Sequence, residues 1–319
     1  MIGGDLLSEG GYGCIFRPEI DCEGNIVENS EYVSKIQIYD KSAIKEIEIG
    51  KILRKIKGYK NRFVPVLKHC FIDVSEINTD DKHKCSIFKK STDNKFILLK
   101  ILYIEGDTFL SFIIKQKNSK QMLNNIINGY NHLLKSVQLL IEQNIIHYDI
   151  KGDNILFNPK MNLPVIIDFG LSINIKNLNE RNLSRYFYVY APDYYIWPLE
   201  IHYLCFLIKK KRVPNMIDLT EMIEIYTTNN IAIKNFSINF RQKFKNICMK
   251  QVLEYSKLST IDDAIKFLLS FWKTWDNYSL SVLYLKSIFY LNVDGYIDNK
   301  FIIFFSEILL KNIHPNPNY

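Results

Sequence analysis

The stretch IIHYDIKGDNILFNPKMNLPVIIDFG, residues 145–170, contains H-x-D-x-K-x-x-N and, after a short apolar run, D-F-G. Transfer of a phosphoryl group needs little covalent help but much placed charge. One carboxylate must orient the attacking hydroxyl, and a carboxylate with an amide must hold the metal ions that neutralise the phosphates. Asp149 suits the first role, and Asn154 and Asp168 suit the second. Lys151, two residues beyond that first carboxylate, suits a place beside the transferring group. Between them, ILF (155–157) and PVIID (164–168) read as short strands around a turn with Asn158, Pro159 and Asn162. The spacing predicts a hairpin that carries Asn154 and Asp168 toward each other. Seven specified residues at fixed offsets arise by chance at a given site on the order of once in a billion, so the set is read as chemistry.

With these motifs the chain resembles the eukaryotic-type protein kinase superfamily, whose catalytic loop reads H-R-D-L-x-x-x-N and is followed by D-F-G. The resemblance implies an α+β, two-lobed fold within one kinase domain. A small antiparallel-sheet N-lobe with one helix would cover 1–103, and a larger, mainly helical C-lobe 104–319. It also implies ATP with Mg²⁺ or Mn²⁺ as cofactors and Ser/Thr hydroxyls of proteins as substrates. Lys151 after Asp149 is the Ser/Thr-type mark. One departure stands at Tyr148, in the place of the family's Arg. Tyr148 has no charge with which to clamp a phosphorylated activation segment.

Composition sets outer limits. The 319 residues suffice for one two-lobed domain with a large core, and 47% hydrophobic residues exclude a largely disordered chain. A net charge of +7, spread along the chain, suits an anionic nucleotide but gives no nucleic-acid motif. The six cysteines (14, 22, 70, 85, 205, 248) form no C-x-x-C pair or metal-spaced cluster, and are expected to be free thiols in a reducing compartment. Met1-Ile2-Gly3-Gly4 lacks signal-peptide features, and apolar runs such as FIIFF (301–305) are far short of a membrane span. A monomeric, cytoplasmic protein with no membrane partner is the expectation.

LLSEGGYGCIF (6–16) reads strand, glycine turn, strand. Alone, such a cluster is more often a plain hairpin turn. Here it resembles the family's G-x-G-x-x-G-x-V, with Gly10, Gly13 and Ile15 on the second, third and Val positions and Ser8 on the first. The resemblance implies that Leu7, Ser8, Glu9, Gly10, Gly11, Tyr12, Gly13 and Ile15 cover the nucleotide. YVSKIQI (32–38) alternates as a half-buried strand, and is the first after the glycine loop. Its Lys35 matches the V-A-I-K lysine that grips phosphates, and Val33 stands where the family places Ala over the adenine. The helix read over 41–58 must supply a glutamate for Lys35: the apolar positions 49, 52, 53 and 56 favour Glu46, with Glu48 the rival. Strands are expected at 69–74 and 96–104, with Ile101 behind the nucleotide, the backbones of Leu102 and Ile104 at the adenine edge, and Leu156 lining the same site. The polar stretch 75–95 reads as a mobile loop.

The second half begins with a long helix over 120–144, ending in Asn144, a residue suited to a left-handed cap. The activation segment covers 171–200 and can close at APD (191–193) or WPLE (197–200); WPLE is favoured because an apolar helix follows it. Helix 274–291 resembles the family's D-x-W-S-L-G helix, with Asp276 as the buried carboxylate that receives catalytic-loop amides. The interval from Glu200 to Asp276 is far longer than the family's, so a helical insert at about 201–275 is expected, with helices near 217–227, 238–256 and 260–273. No arginine follows Arg241, although the family pairs its A-P-E glutamate with one. The resulting reading is a Ser/Thr protein kinase, in texture like those of large nucleocytoplasmic DNA viruses, with a place in the host cytoplasm or the virion. A pseudokinase scaffold and a small-molecule phosphotransferase are the rivals; the first usually loses Lys35, Asp149 or Asp168, and the second usually lacks D-F-G and the glycine loop.

Overall fold

The computed structural model describes residues 5–10, 13–77, 83–89, 95–115, 119–292 and 300–319. Five segments, the last four of them rich in apolar residues, pair as one antiparallel sheet. They are β1 (Asp5–Glu9), β2 (Gly13–Arg17), β3 (Tyr32–Ile38), β4 (Val66–Ile72) and β5 (Phe96–Leu102), in the order β1-β2-β3-β5-β4. The central β3 is covered on both faces, so Val33, Ser34, Lys35, Ile36 and Gln37 are all buried. In its register Lys35 stands opposite Ile15 on one side and Leu99 on the other, and Val33 opposite Ile101. At Gly13 a Cβ would fall 2.8 Å from the Ile36 carbonyl oxygen and 2.9 Å from Gln37 Cβ. The close approach of β2 to β3 therefore requires glycine at that point.

Helix α1 (Lys41–Leu53) starts at Asp40, whose carboxylate accepts the Ser42 and Ala43 N–H groups at 2.8 and 3.0 Å. It stops before the expected end at 58, because the chain tightens into turns and Gly58 takes a left-handed φ of 75°. The stretch 75–95 is also not a plain loop where it is described: Ile77, Cys85 and Ile87 are buried in the cluster of Cys14, Phe16, Ile36 and Leu98. A polar composition had hidden those apolar anchors. Four cysteines depart from the free-thiol expectation, in the disulfides Cys14–Cys85 and Cys22–Cys70; Cys205 and Cys248 are free and buried. The partners lie 71 and 48 residues apart in sequence, so chain spacing gives no sign of them.

The expected hairpin forms from Ile155–Asn158 and Leu163–Ile166. Its Val165 packs with Val64 and Ile104, joined by Ile101, Leu102 and Leu156. The chain divides into two units, Met1–Asp107 with Leu156–Ser172, and Thr108–Ile155 with Ile173–Tyr319.

The second unit is helical: α2 (Phe109–Ile114), α3 (Ser119–Glu142), α4 (Leu183–Tyr186), α5 (Leu199–Lys210), α6 (Met216–Asn229), α7 (Ile238–Tyr255), α8 (Ile261–Leu269), α9 (Trp272–Asn292) and α10 (Lys300–Asn312). After α3, Asn144 takes a φ of 61°, and Ile145–Ile146 pairs antiparallel with Ile173–Asn174. Trp275, Tyr278, Leu280, Val282 and Tyr284 bury α9 on several faces, which makes it the central element, packed against α3 and α10. No helix among the described residues is long and apolar enough to cross a membrane.

Candidate active site

Each unit holds some of the charged side chains that the sequence singles out. In the first unit, Lys35 Nζ donates to Glu46 Oε1 at 3.0 Å, Glu46 Oε2 at 2.9 Å and Asp168 Oδ1 at 3.0 Å. Helix α1 brings Glu46 there because it shares a buried stripe with Ala43, Ile47, Ile49 and Leu53, whereas Glu48 faces solvent. Burial alone would lower the Lys35 ammonium, but the Glu46 and Asp168 carboxylates outweigh it and hold it above its ordinary value. Two negative charges against one positive leave a group suited to a further cation. Asp168 is the most open of the three, with 39% of its side chain exposed, and its φ of 61° is left-handed. Its neighbours fix it: Phe169 packs edge-on against Phe63, and the Gly170 carbonyl accepts the Ser42 hydroxyl at 3.0 Å.

The other first-unit residues singled out in the sequence are spread along the sheet. Val33 and Ile104 are buried, and Leu102 and Leu156 pack on one apolar cluster. Ile15 is half-buried and pairs with Lys35, Ser8 pairs with Ile15, and Leu7 is exposed. Glu9 accepts the Ser86 N–H at 2.9 Å, and the Gly10 N–H donates to the Gly13 carbonyl at 2.9 Å. Gly11 and Tyr12 lie outside the described residues.

In the second unit, Asp149 is 5% exposed and its two oxygens have different partners. Oδ2 accepts from Asn154 Nδ2 at 2.8 Å and from Lys151 Nζ at 3.1 Å. Asn154 Nδ2 also donates to the Asp149 carbonyl at 2.9 Å, which leaves its own amide oxygen for a cation. Oδ1 accepts the phenol of Tyr194, a contact that no sequence motif announced. The carboxylate of Asp276, from α9, accepts the backbone N–H of His147 at 2.7 Å and of Tyr148 at 3.0 Å. Burial raises the Asp276 carboxyl, and His147 with the two amides opposes that rise.

Tyr148 is the second residue whose part was not legible. It has a φ of 70°, a strained conformation for an aromatic residue that persists only where its surroundings enforce it. The Asp276 grip on its N–H and the Trp197 Nε1 donation to its carbonyl at 2.8 Å do so. Its ring lies 4.6 Å from that of Trp197 and 5.9 Å from that of Phe187, with Trp275 at 6.3 Å. Where charge was missing, an aromatic stack ties the loop to the segment before α5.

The chain matches the protein kinase domain over residues 27–198, more than half its length, and it belongs to that family. The matched span includes Lys35, Glu46, Asp149, Asn154 and Asp168; the helices from α5 onward lie beyond it. It is similar to the probable serine/threonine-protein kinase fnkE of Dictyostelium discoideum, 28% identical over 204 residues, 60% of this chain and 13% of that one. With the mitogen-activated protein kinase kinase kinase nsy-1 of Caenorhabditis elegans it shares 32% identity over 178 residues, 54% and 10% of the two chains. An 84-residue stretch is 30% identical to the EKC/KEOPS complex subunit bud32 of Dictyostelium discoideum, 26% of this chain and 33% of that one. The matches thus span a third or less of the length of these relatives.

Proposed function

We propose that this chain is an ATP-dependent protein kinase of the Ser/Thr kind, moving the γ-phosphate of ATP to Ser and Thr hydroxyls of protein substrates. The observation that carries this reading is the buried Lys35 ammonium shared by Glu46 and Asp168. A scaffold that only binds partners has no need of it. On this reading Lys35, fixed by Glu46, grips the α and β phosphates, and Leu7 to Ile15 cover them. Asp149 accepts the hydroxyl proton, and Lys151 steadies the transferring group. Asp168 and Asn154 supply oxygen donors of the kind Mg²⁺ or Mn²⁺ takes together with phosphates; the ion would neutralise charge developing on the nucleotide.

The proposal takes the chain as a single domain with lobes at 1–103 and 104–319 and a helical insert at 201–275, acting as a monomer. It extends to the viral resemblance and a cytoplasmic location. Incubating the purified protein with labelled ATP and an array of Ser, Thr and Tyr peptides, beside small-molecule acceptors, tests the reading. Label on Ser or Thr peptides is the expected result. Label on small molecules alone, or on nothing, would discard it.

Two variants test its parts. Glu46→Ala is expected to lower kcat/KM for ATP about 30-fold or more, and Glu48→Ala less than about twofold; equal losses would reverse the assignment. Tyr194→Phe is expected to raise kcat/KM for a Ser peptide about fivefold, since a substrate hydroxyl would no longer have to displace the phenol from Asp149. A fall of similar size would instead make Tyr194 a residue that orients Asp149.

A further inference from the structure

A cavity of about 90 Å³ opens beside the loop that carries Asp149, wholly within the second unit. Its apolar lining comes from Ile196 and Leu283, both buried. The polar lining comes from three places. Lys151 and Asp153 belong to the loop itself, Tyr195 to the segment before α5, and Lys286 to α9. Lys151 ties this space to the proposed chemistry, because its Nζ also donates to Asp149 Oδ2 at 3.1 Å.

Lys286 is the member that the fold leaves unanswered. Leu283, Leu285, Ser287 and Ile288, its neighbours along α9, are all buried. Lys286 is itself half-buried, and among the described residues no ion pair joins it to a carboxylate. Asp153 lines the same cavity, yet it is exposed and forms no ion pair with Lys286. An ammonium drawn partly out of water gains nothing in return until an anion meets it. Tyr195 adds a neutral donor. Burial and the Asp153 carboxylate raise its phenol, Lys151 opposes that rise and Asp149 adds to it, so the O–H stays protonated.

We propose that this cavity seats an acidic side chain of the protein substrate, a carboxylate or a phosphate, with the Lys286 ammonium as its charged partner. The proposal rests on the Ser/Thr kinase reading above and names the class of substrate for it. The Lys151 charge is already matched by Asp149, so selection for an anion falls to Lys286. Asp153 opposes an anion and limits the gain, whereas a basic side chain would meet Lys286 and Lys151 together. On that reading the acceptor hydroxyl sits at Asp149, and an extended peptide advances about 3.3 Å per residue. The acidic residue should therefore lie within about three positions of the acceptor.

The test is kcat/KM of the full chain for peptides with one central Ser among alanines, each flanking position in turn becoming Asp, phosphoserine or Lys. At one position within three of the Ser, Asp is expected to exceed Ala about tenfold, as a charge-assisted hydrogen bond gives, and Lys to fall below Ala. Phosphoserine there separates the sources: a rate above that with Asp assigns the site to a phosphate, and a rate at or below it to a carboxylate. Lys286→Met keeps an unbranched apolar stem and should bring the Asp/Ala ratio to about one, with the all-alanine peptide changed less than about twofold. Lys286→Arg should retain the preference, and Asp153→Asn should raise it. Fluorescence anisotropy with labelled peptides whose central Ser is Ala should show the same order without turnover. No label on any peptide would discard the kinase reading, and anisotropy would then decide this proposal by itself. Label at equal rates for Asp and Ala at every position would overturn this proposal alone, as would a preference for Lys or one for Asp that survives Lys286→Met. If Lys286→Met does not fold, Asp153→Asn decides: a ratio left unchanged or lowered would overturn the proposal.

Discussion

Asp149→Asn is expected to lower turnover about a thousandfold or more while leaving the folded protein intact. An amide has nearly the shape of the carboxylate, so Asn154 and Lys151 keep a neighbour at the Oδ2 position. On the proposed role, what disappears is the group that takes the proton from the attacking hydroxyl, and general bases contribute about 10² to 10⁴ in rate. Loss of the negative charge also turns the Lys151 ion pair into an ordinary hydrogen bond and, on the proposed role, weakens the orientation of the hydroxyl. Single-turnover rates at saturating ATP, together with Tm, check the prediction. Retention of more than a few per cent of the wild-type rate in a folded variant would remove Asp149 from its proposed role.

Asp276→Ala carries the largest expected effect on stability, a loss of about 3 kcal/mol, because it strands two backbone N–H groups at about 1–3 kcal/mol each. Those groups belong to His147 and Tyr148, and both are buried. Some of the cost returns, since the carboxylate itself is buried and its desolvation is relieved. The left-handed Tyr148 would also lose the restraint on its N–H, so the loop should relax toward ordinary backbone angles and activity should fall with stability. Asp276→Asn keeps one acceptor and should lose about half as much. Urea unfolding of both variants separates the outcomes: equal small losses would mean that the amide bonds contribute little to the fold.

Legibility in the sequence followed the range of the interactions involved. Asp149, Asn154 and Asp168 stand out in the sequence because the motif that points to them has fixed short offsets, Lys35 because it lies inside the first strand read after the glycine cluster, and Glu46 is favoured over Glu48 by helical period alone. Amphipathic repeats likewise gave the helices of the 201–275 stretch to within a few residues. Contacts made only on folding were not encoded that way. Tyr194 reaches Asp149 across 45 positions, and Trp197 reaches Tyr148 across 49; no periodicity links such pairs. The cysteine pairs failed for the same reason, since partners on different elements leave no spacing signal. Residues 75–95 were misread because a mostly polar run carries its few buried anchors, Ile77, Cys85 and Ile87, at irregular intervals.

The aromatic stack of Tyr148, Trp197, Phe187 and Trp275 has a consequence for the conditions under which the loop stays in place. A clamp made of opposite charges loosens as dissolved ions screen it, over a distance of about 8 Å at physiological ionic strength. Ring packing is indifferent to such ions and weakens instead on cooling, as apolar association does. Brine should therefore leave the ring contacts of Tyr148 in place, and chilling weakens that part of the anchoring, leaving more of the hold on this loop to the Asp276 and Trp197 hydrogen bonds.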